Sequence, residues 1–306
     1  MGGLILISIS LFYYFTNTSN VFHTALIDKK AYLSSIQEPK VVLVGGSNLA
    51  FGVDSRLLSQ KLGKPVVNMG LQAELGLPFQ WNIIKEDIKK GDIVIFCLEH
   101  CYYYDTHVIT SGDGIYWWYI IKENPDFFRY IEGEMLQREL VEHFNLFLYL
   151  QYYTQISSLF KTPQPITNAY QRNAINQYGD NESVMIDTVP FFTPLKNYHP
   201  FPFTEKIAPS FFATLNSFNR HCQSKGAGCL LSFPIYEQGA YQLSYNWITS
   251  LYPLIQKELQ FPVISSPDRY SYPNQLYFDT VYHLNKKGKK IHTQRFADDI
   301  KEVLNK

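Results

Sequence analysis

With 306 residues, 46% hydrophobic and 18% charged, the chain has enough apolar surface for one large α/β domain or two small ones and is too hydrophobic to be disordered. Its 27 basic and 27 acidic side chains cancel, and no basic tract is present. Nucleic acid is therefore excluded as an expected partner, because phosphate binding needs a concentrated positive face.

Taken in chain order, residues 4–15 form an apolar stretch shorter than the roughly 20 residues of a spanning helix. It lacks a positive leader and an Ala-x-Ala cleavage site, and the polar run Thr16-Asn17-Thr18-Ser19-Asn20 follows at once. The expectation is that residues 1–20 are a signal anchor, with a core helix as the alternative. Val41-Val42-Leu43-Val44-Gly45-Gly46 reads as a strand buried on both faces. A helix then opens at Asp54 or Ser55, carries Leu57, Leu58 and Leu62 on one side, and ends at Gly63. Val66–Asn68 is a second strand running into a turn at Gly70, Leu77–Lys90 a helix, and Asp92–Leu98 a third strand. This alternation predicts βαβ units and a parallel sheet.

Between about 100 and 205 the rhythm lapses. Tyr102, Tyr103, Tyr104, Tyr116, Trp117, Trp118 and Tyr119 crowd together, a helical stretch runs from about Asp126 to Phe160, and a Pro- and Asn-rich region follows. This reads as an insertion covering the strand ends of one domain spanning 21–306. Trp117, Trp118 and Tyr119 suit a sugar-stacking platform or a buried hinge. His107 and His199, inside the insertion, read as loop histidines. A helix over Pro209–Lys225, a strand over Cys229–Pro234, a helix over Leu243–Leu259, a short strand at Pro262–Ile264 and a terminal helix capped by Asn285 complete the pattern. Lys286, Lys287, Lys289 and Lys290 read as a solvated face, or as one that meets an anionic glycan or lipid surface. Cys97, Cys101, Cys222 and Cys229 lack zinc-ligand spacing. Buried thiols are expected at Cys97 and Cys229, and a disulfide is left open.

In open parallel sheets ligands bind beyond the carboxyl ends of the strands. Ser47, Gly70, Glu99 and His100 each follow a predicted strand end, so all four belong to one rim. Glycine lets the backbone turn sharply at Gly45-Gly46 and present N–H groups suited to a tetrahedral oxyanion; the alternative is a βα turn with no chemistry. His283 is a candidate base for the Ser47 hydroxyl, and Asp279, four residues ahead, a candidate orienter. The alternatives are a loop histidine and a turn former. Asn48, Glu99 and His100 are candidate substrate contacts, with structural roles as the alternative.

Three stretches resemble the blocks of the SGNH/GDSL hydrolase superfamily, in particular its cell-envelope acyltransferase and acetylesterase branch. They are Val44-Gly45-Gly46-Ser47-Asn48, Asn68-Met69-Gly70-Leu71, and the Asp279–His283 stretch. The resemblance implies a flavodoxin-like three-layer α/β/α sandwich around a central parallel sheet, and ester chemistry without metal or other cofactor. It further implies that Ser47 is the nucleophile, that the N–H groups of Ser47 and Gly70 are the oxyanion donors, and that Asp279 and His283 are acid and base. Three departures stand out. The first block has Gly46 where the family commonly has Asp, three residues rather than two separate Asp279 from His283, and Leu98-Glu99-His100-Cys101 replaces a Gly-x-Asn-Asp block.

The expected function is a serine-dependent esterase or O-acyltransferase acting on a cell-envelope or extracellular polysaccharide. The expected location is membrane-anchored, facing the periplasm or exterior, with a membrane-bound protein as a candidate acyl donor. The alternatives are a lipid or small-ester esterase using the same residues, and a non-catalytic glycan-binding or assembly component. A flavodoxin-like cofactor binder is a poorer third, because Gly45-Gly46-Ser47 only weakly supplies a phosphate-binding pattern.

Overall fold

The computed structural model describes residues 18–104, 106–137, 168–183 and 206–305. Its strands are β1 (Val41–Gly45), β2 (Val66–Asn68), β3 (Ile93–Cys97), β4 (Gly228–Ser232), β5 (Tyr236–Glu237) and β6 (Ser271–Tyr272). The helices are α1 (Ala25–Ser35), α2 (Ser47–Gly52), α3 (Ser55–Leu62), α4 (Leu77–Ile84), α5 (Cys101–Tyr104), α6 (Thr106–Thr110), α7 (Gly114–Glu123), α8 (Ser210–Ser224), α9 (Gln238–Leu243), α10 (Tyr245–Glu258) and α11 (Lys286–Leu304).

Because β1 is apolar at four consecutive positions, it can bury both faces, and it sits inside a parallel sheet of order β2-β1-β3-β4. Val263 adds a single parallel bridge to Leu231 on the outer side of β4. The sequence 2-1-3-4 followed by that fifth position is the flavodoxin-like order. Alternate residues feed two cores. Val42, Val44, Val94 and Phe96 pack with Leu26 and Leu33 of α1, Ile83 of α4 and Phe211 of α8. Val41, Leu43, Ile93 and Ile95 pack with Leu58 of α3 and Phe296 and Ile300 of α11. The result is three layers, helix on sheet on helix. At the opposite end from the carboxyl rim, buried Lys40 Nζ and Asp92 Oδ2 pair at 2.8 Å, and Asp92 Oδ1 accepts the Lys40 N–H, tying the starts of β1 and β3.

Several local expectations need correction. The helix predicted over Leu77–Lys90 stops at Ile84, because Lys30 Nζ takes the Ile83 carbonyl and the Asp87 N–H closes on Ile84. The stretch from Asp126 opens as a 3₁₀ turn, Pro125–Tyr130, whose buried Phe127 and Tyr130 lie three residues apart as that geometry favours, and it breaks at extended Ile131. Residues 138–160 lie outside the described residues, as does His199. The strand expected at Pro262–Ile264 is only the bridge at Val263. Asp54, not Ser55, caps α3, accepting the Leu57 N–H at 2.9 Å. Lys286, Lys287 and Lys290 are exposed, but Lys289 is buried and donates to the carbonyls of Asn181 and Ala50. Trp117 is buried with its indole N–H on Leu75 O, whereas Trp118 is exposed, so the aromatic triplet is not one flat platform. All four cysteines are free. Among the described residues no helix is long and apolar enough to cross a membrane, and residues 4–15 are not among them.

Three histidines shielded from water make stability depend on pH, and burial brings the first of them, His23, down to about 4. Burial pushes His100 and His292 down to about 3, while the unfolded chain returns them to near the model-compound value of 6.5. As pH falls below 6.5 the unfolded state takes up protons that the native state refuses, so stability is full above 6.5 and is lost toward 3, at up to about 1.4 kcal/mol per pH unit for each histidine. Buried Glu99 and Asp180, whose carboxyls burial raises, act in the opposite sense. We expect urea midpoints to decline between pH 6.5 and 4, and His292→Gln to flatten that decline by about one proton's worth.

Candidate active site

At the end of β1 the chain turns through Gly46 straight into α2, which puts Ser47 at the first helical position rather than in an open loop. The N–H of a first-turn residue has no intrahelical partner and is available to a ligand. The turn is tight because two other elements press on it. A methyl group on Gly46 would lie 2.5 Å from Glu99 Oε1, and one on Gly70 would lie 2.4 Å from Leu49 Cβ and 2.8 Å from Gly46 O. Both positions therefore need glycine for want of space.

His283 comes from the far end of the chain. Tyr277 and Leu284 form an antiparallel bridge, the Phe278 N–H donates to His283 O at 2.8 Å, and the residues between them make a closed loop. Three intervening residues fit this loop: Asp279 Oδ1 lies 2.7 Å from His283 Nδ1. On the other side of the ring, His283 Nε2 lies 2.7 Å from Ser47 Oγ. Phe51 of α2 stacks on the imidazole, centroids 4.0 Å apart and planes 11° from parallel, so the ring is held by packing as well as by hydrogen bonds. A hydroxyl, an imidazole and a carboxylate in one hydrogen-bonded row can move a proton from oxygen to nitrogen and stabilise the imidazolium that results.

The remaining rim residues have specific partners. Glu99 is 7% exposed; its Oε1 accepts the Asn48 N–H at 2.9 Å and lies 3.0 Å from Ser47 Oγ. Burial raises its carboxyl above the usual range, opposed by the Asn48 N–H and by His283. The Asn48 amide donates to Cys97 O at 3.0 Å, across the gap between β1 and β3. His100 is buried, with Nδ1 2.8 Å from the Tyr282 hydroxyl and its ring against Tyr236. The Gly70 N–H donates to Asn68 Oδ1 at 3.0 Å. Among the described residues no group of three His, Cys, Asp or Glu is placed to hold a metal ion.

Tyr170 was invisible to sequence reasoning. Its hydroxyl donates to Asp279 Oδ2 and lies 3.1 Å from His283 Nδ1, while its ring packs against Phe22 and Phe51. Burial and the Asp279 charge both raise the phenol, so it stays a donor. It sits in the Asn-rich insertion with no motif around it; an aromatic between buried Phe22 and Phe51 is a signal only coordinates supply.

No protein-family model and no curated protein matches this sequence. Among solved structures, the chain is similar to a protein titled as lipolytic and of the G-D-S-L family from Desulfitobacterium hafniense DCB-2, at 13% identity and a TM-score of 0.38, covering 86% of this chain and 99% of that one. It is also similar to the YxiM protein of Bacillus subtilis, at 14% identity and a TM-score of 0.38, covering 87% of this chain and 57% of that one.

Tyr170→Phe keeps the ring between its two phenylalanines and removes only the hydroxyl, with its contacts to Asp279 and His283. We expect it to slow reaction of Ser47 with a fluorophosphonate about tenfold, the lower end for a hydrogen bond to an ionised group, with little change in the unfolding midpoint. An unchanged labelling rate would show that Asp279 is oriented without it.

Proposed function

We propose that the chain is a serine-dependent esterase or O-acyltransferase of the SGNH/GDSL type, acting on acyl, in particular acetyl, esters of a cell-envelope or extracellular polysaccharide. The observation that carries the reading is the row Ser47 Oγ, His283 Nε2, His283 Nδ1 and Asp279 Oδ1, with 2.7 Å at each contact. The polysaccharide and the envelope location rest on the resemblance of the three blocks, on the aromatic share and on the apolar stretch 4–15.

In this mechanism Ser47 Oγ adds to the ester carbonyl carbon as His283 Nε2 takes its proton, and Asp279 stabilises the imidazolium. The carbonyl oxygen becomes the oxyanion. The Ser47 N–H is its first donor, and the Gly70 N–H is a second donor when it exchanges Asn68 Oδ1 for the oxyanion. Collapse breaks the bond to the alcohol, which leaves with the proton held by His283. Water or a sugar hydroxyl then gives a proton to His283 as it adds to the acyl group, and His283 passes that proton to Ser47 Oγ as the ester bond breaks. A membrane-bound acyl donor would supply the first half-reaction of a transferase.

The test is fluorophosphonate labelling of the protein and of Ser47→Ala, with chromogenic acetyl-ester hydrolysis alongside. Loss of labelling, and a fall in turnover of about four orders of magnitude or more in the variant, are the expected results. Equal behaviour of the two proteins would overturn the reading in favour of a non-catalytic glycan-binding component. If the variant behaves as expected, acetylated polysaccharide with and without an acceptor sugar separates release to water from transfer.

A further inference from the structure

The Ser47 hydroxyl has one proton and two acceptors. His283 Nε2 is 2.7 Å from Oγ on one side and Glu99 Oε1 is 3.0 Å from it on the other. If Glu99 is ionised while His283 is neutral, only one contact can hold the proton, and lone pairs face each other across the second. A hydroxyl turned toward Glu99 is turned away from its base.

Building on the serine-esterase reading, we propose that Glu99 is a positioning residue that carries a proton in the resting enzyme and donates it in a hydrogen bond to Ser47 Oγ, so that the hydroxyl's own proton is directed to His283. The contacts fit such a group. One atom, Oε1, lies 3.0 Å from Ser47 Oγ and accepts the Asn48 N–H at 2.9 Å, so in the proposed state it donates to the first and accepts from the second. A carboxylic acid O–H does both. An amide cannot, because its oxygen has no proton and its nitrogen no free acceptor site. The space beside Gly46 that a Cβ would fill is the space the carboxyl occupies. Burial favours the protonated form. The proton balance closes: His283 Nε2 takes the hydroxyl proton as Oγ adds to the carbonyl carbon, while Glu99 keeps its own proton and its hydrogen bond to Oγ. After acylation the same O–H faces the serine ester oxygen, the atom that must leave in the second half-reaction.

The active resting state thus contains one proton on the pair Glu99 and His283, carried by Glu99. The other ionisable groups facing Glu99 are Glu74, from the 3₁₀ turn Ala73–Leu75, and the phenols of Tyr102, Tyr170 and Tyr282. The phenols are raised by burial and stay neutral throughout the working range.

The experiment is the pH profile of the second-order rate of fluorophosphonate labelling of the full chain, in wild type, Glu99→Gln and Ser47→Ala, with circular dichroism at each pH. The expected wild-type profile is a bell. It rises as His283 gives up its proton and falls on the alkaline side as the pair loses its last one. Glu99→Gln is expected to label about tenfold or more slowly at the wild-type optimum, and to lose the alkaline fall while keeping the rise. A Gln variant that slows labelling but keeps the wild-type bell would make Glu99 merely structural and overturn the proposal. So would a wild-type profile that stays level on the alkaline side while the protein remains folded, a result that decides the matter even if the Gln variant does not fold. Labelling that persists in Ser47→Ala, or is absent from wild type, overturns the serine-esterase reading itself, and this proposal with it.

Discussion

The site depends on the close approach of two strand ends. A methyl on Gly45 would lie 2.2 Å from Cys97 O, so at the last paired position of β1 and β3 there is no space for a side chain. That contact brings the turn at Gly46 against Glu99, two residues past β3, and sets the distance from Ser47 to Glu99. It also lets the Asn48 amide reach Cys97 O, which fixes the first turn of α2 and with it the serine. The site thus has two halves: parallel pairing positions one, and the loop after Tyr277 brings up the other.

A second constraint comes from buried charge. Lys29 Nζ donates to three backbone carbonyls, those of Asn68, Gly70 and Gly179. Burial brings its ammonium down to about 7, with Asp180 working against that shift and Lys289 adding to it. The Asp180 carboxylate accepts from Ser55 N and Oγ and from the Asn68 amide, and Lys289 donates to Asn181 O. Together they fasten residues 176–183 to the end of β2, to α3 and to α11. Removing one charge would leave the others uncompensated, which costs far more than a surface pair does. The same stretch of chain carries, six residues ahead of that segment, Tyr170, whose hydroxyl holds Asp279. The orientation of the imidazole is therefore anchored through polar contacts as well as through the apolar cores.

The sheet was legible in the sequence because burial on both faces leaves an unmistakable continuous apolar run, as at Val41–Val44 and Ile93–Cys97. Ser47, Asp279 and His283 could be singled out because each stands next to such a run or next to a helix start. Tyr170, Lys29 and Asp180 could not be. Their roles come from contacts spanning more than one hundred positions, as from Lys29 to Gly179 or from Tyr170 to Asp279, and neither periodicity nor spacing encodes those. Lys289 shows the same limit in reverse. A run of lysines at a helix start looks solvated, yet one of the four turns inward because Asp180 and two carbonyls lie beneath it. Helix ends were misjudged where a side chain intercepted a carbonyl, as Lys30 does at Ile83.

Two of the departures from the SGNH/GDSL pattern are physically one. Position 46 has no side chain where that pattern commonly has an aspartate, and Glu99 brings a carboxyl group in the stretch Leu98-Glu99-His100-Cys101 that replaces the Gly-x-Asn-Asp block. Any Cβ at 46 would stand 2.5 Å from Glu99 Oε1 and 2.7 Å from its carboxyl carbon. Glu99 is also pinned there by the Asn48 N–H, so an aspartate at 46 and Glu99 in its present place exclude each other. The carboxyl group beside the Ser47 turn is supplied from just past the end of β3 instead of from the turn itself. Delivered from the next strand, it touches the serine hydroxyl directly, which is why its protonation state bears on where the hydroxyl proton points.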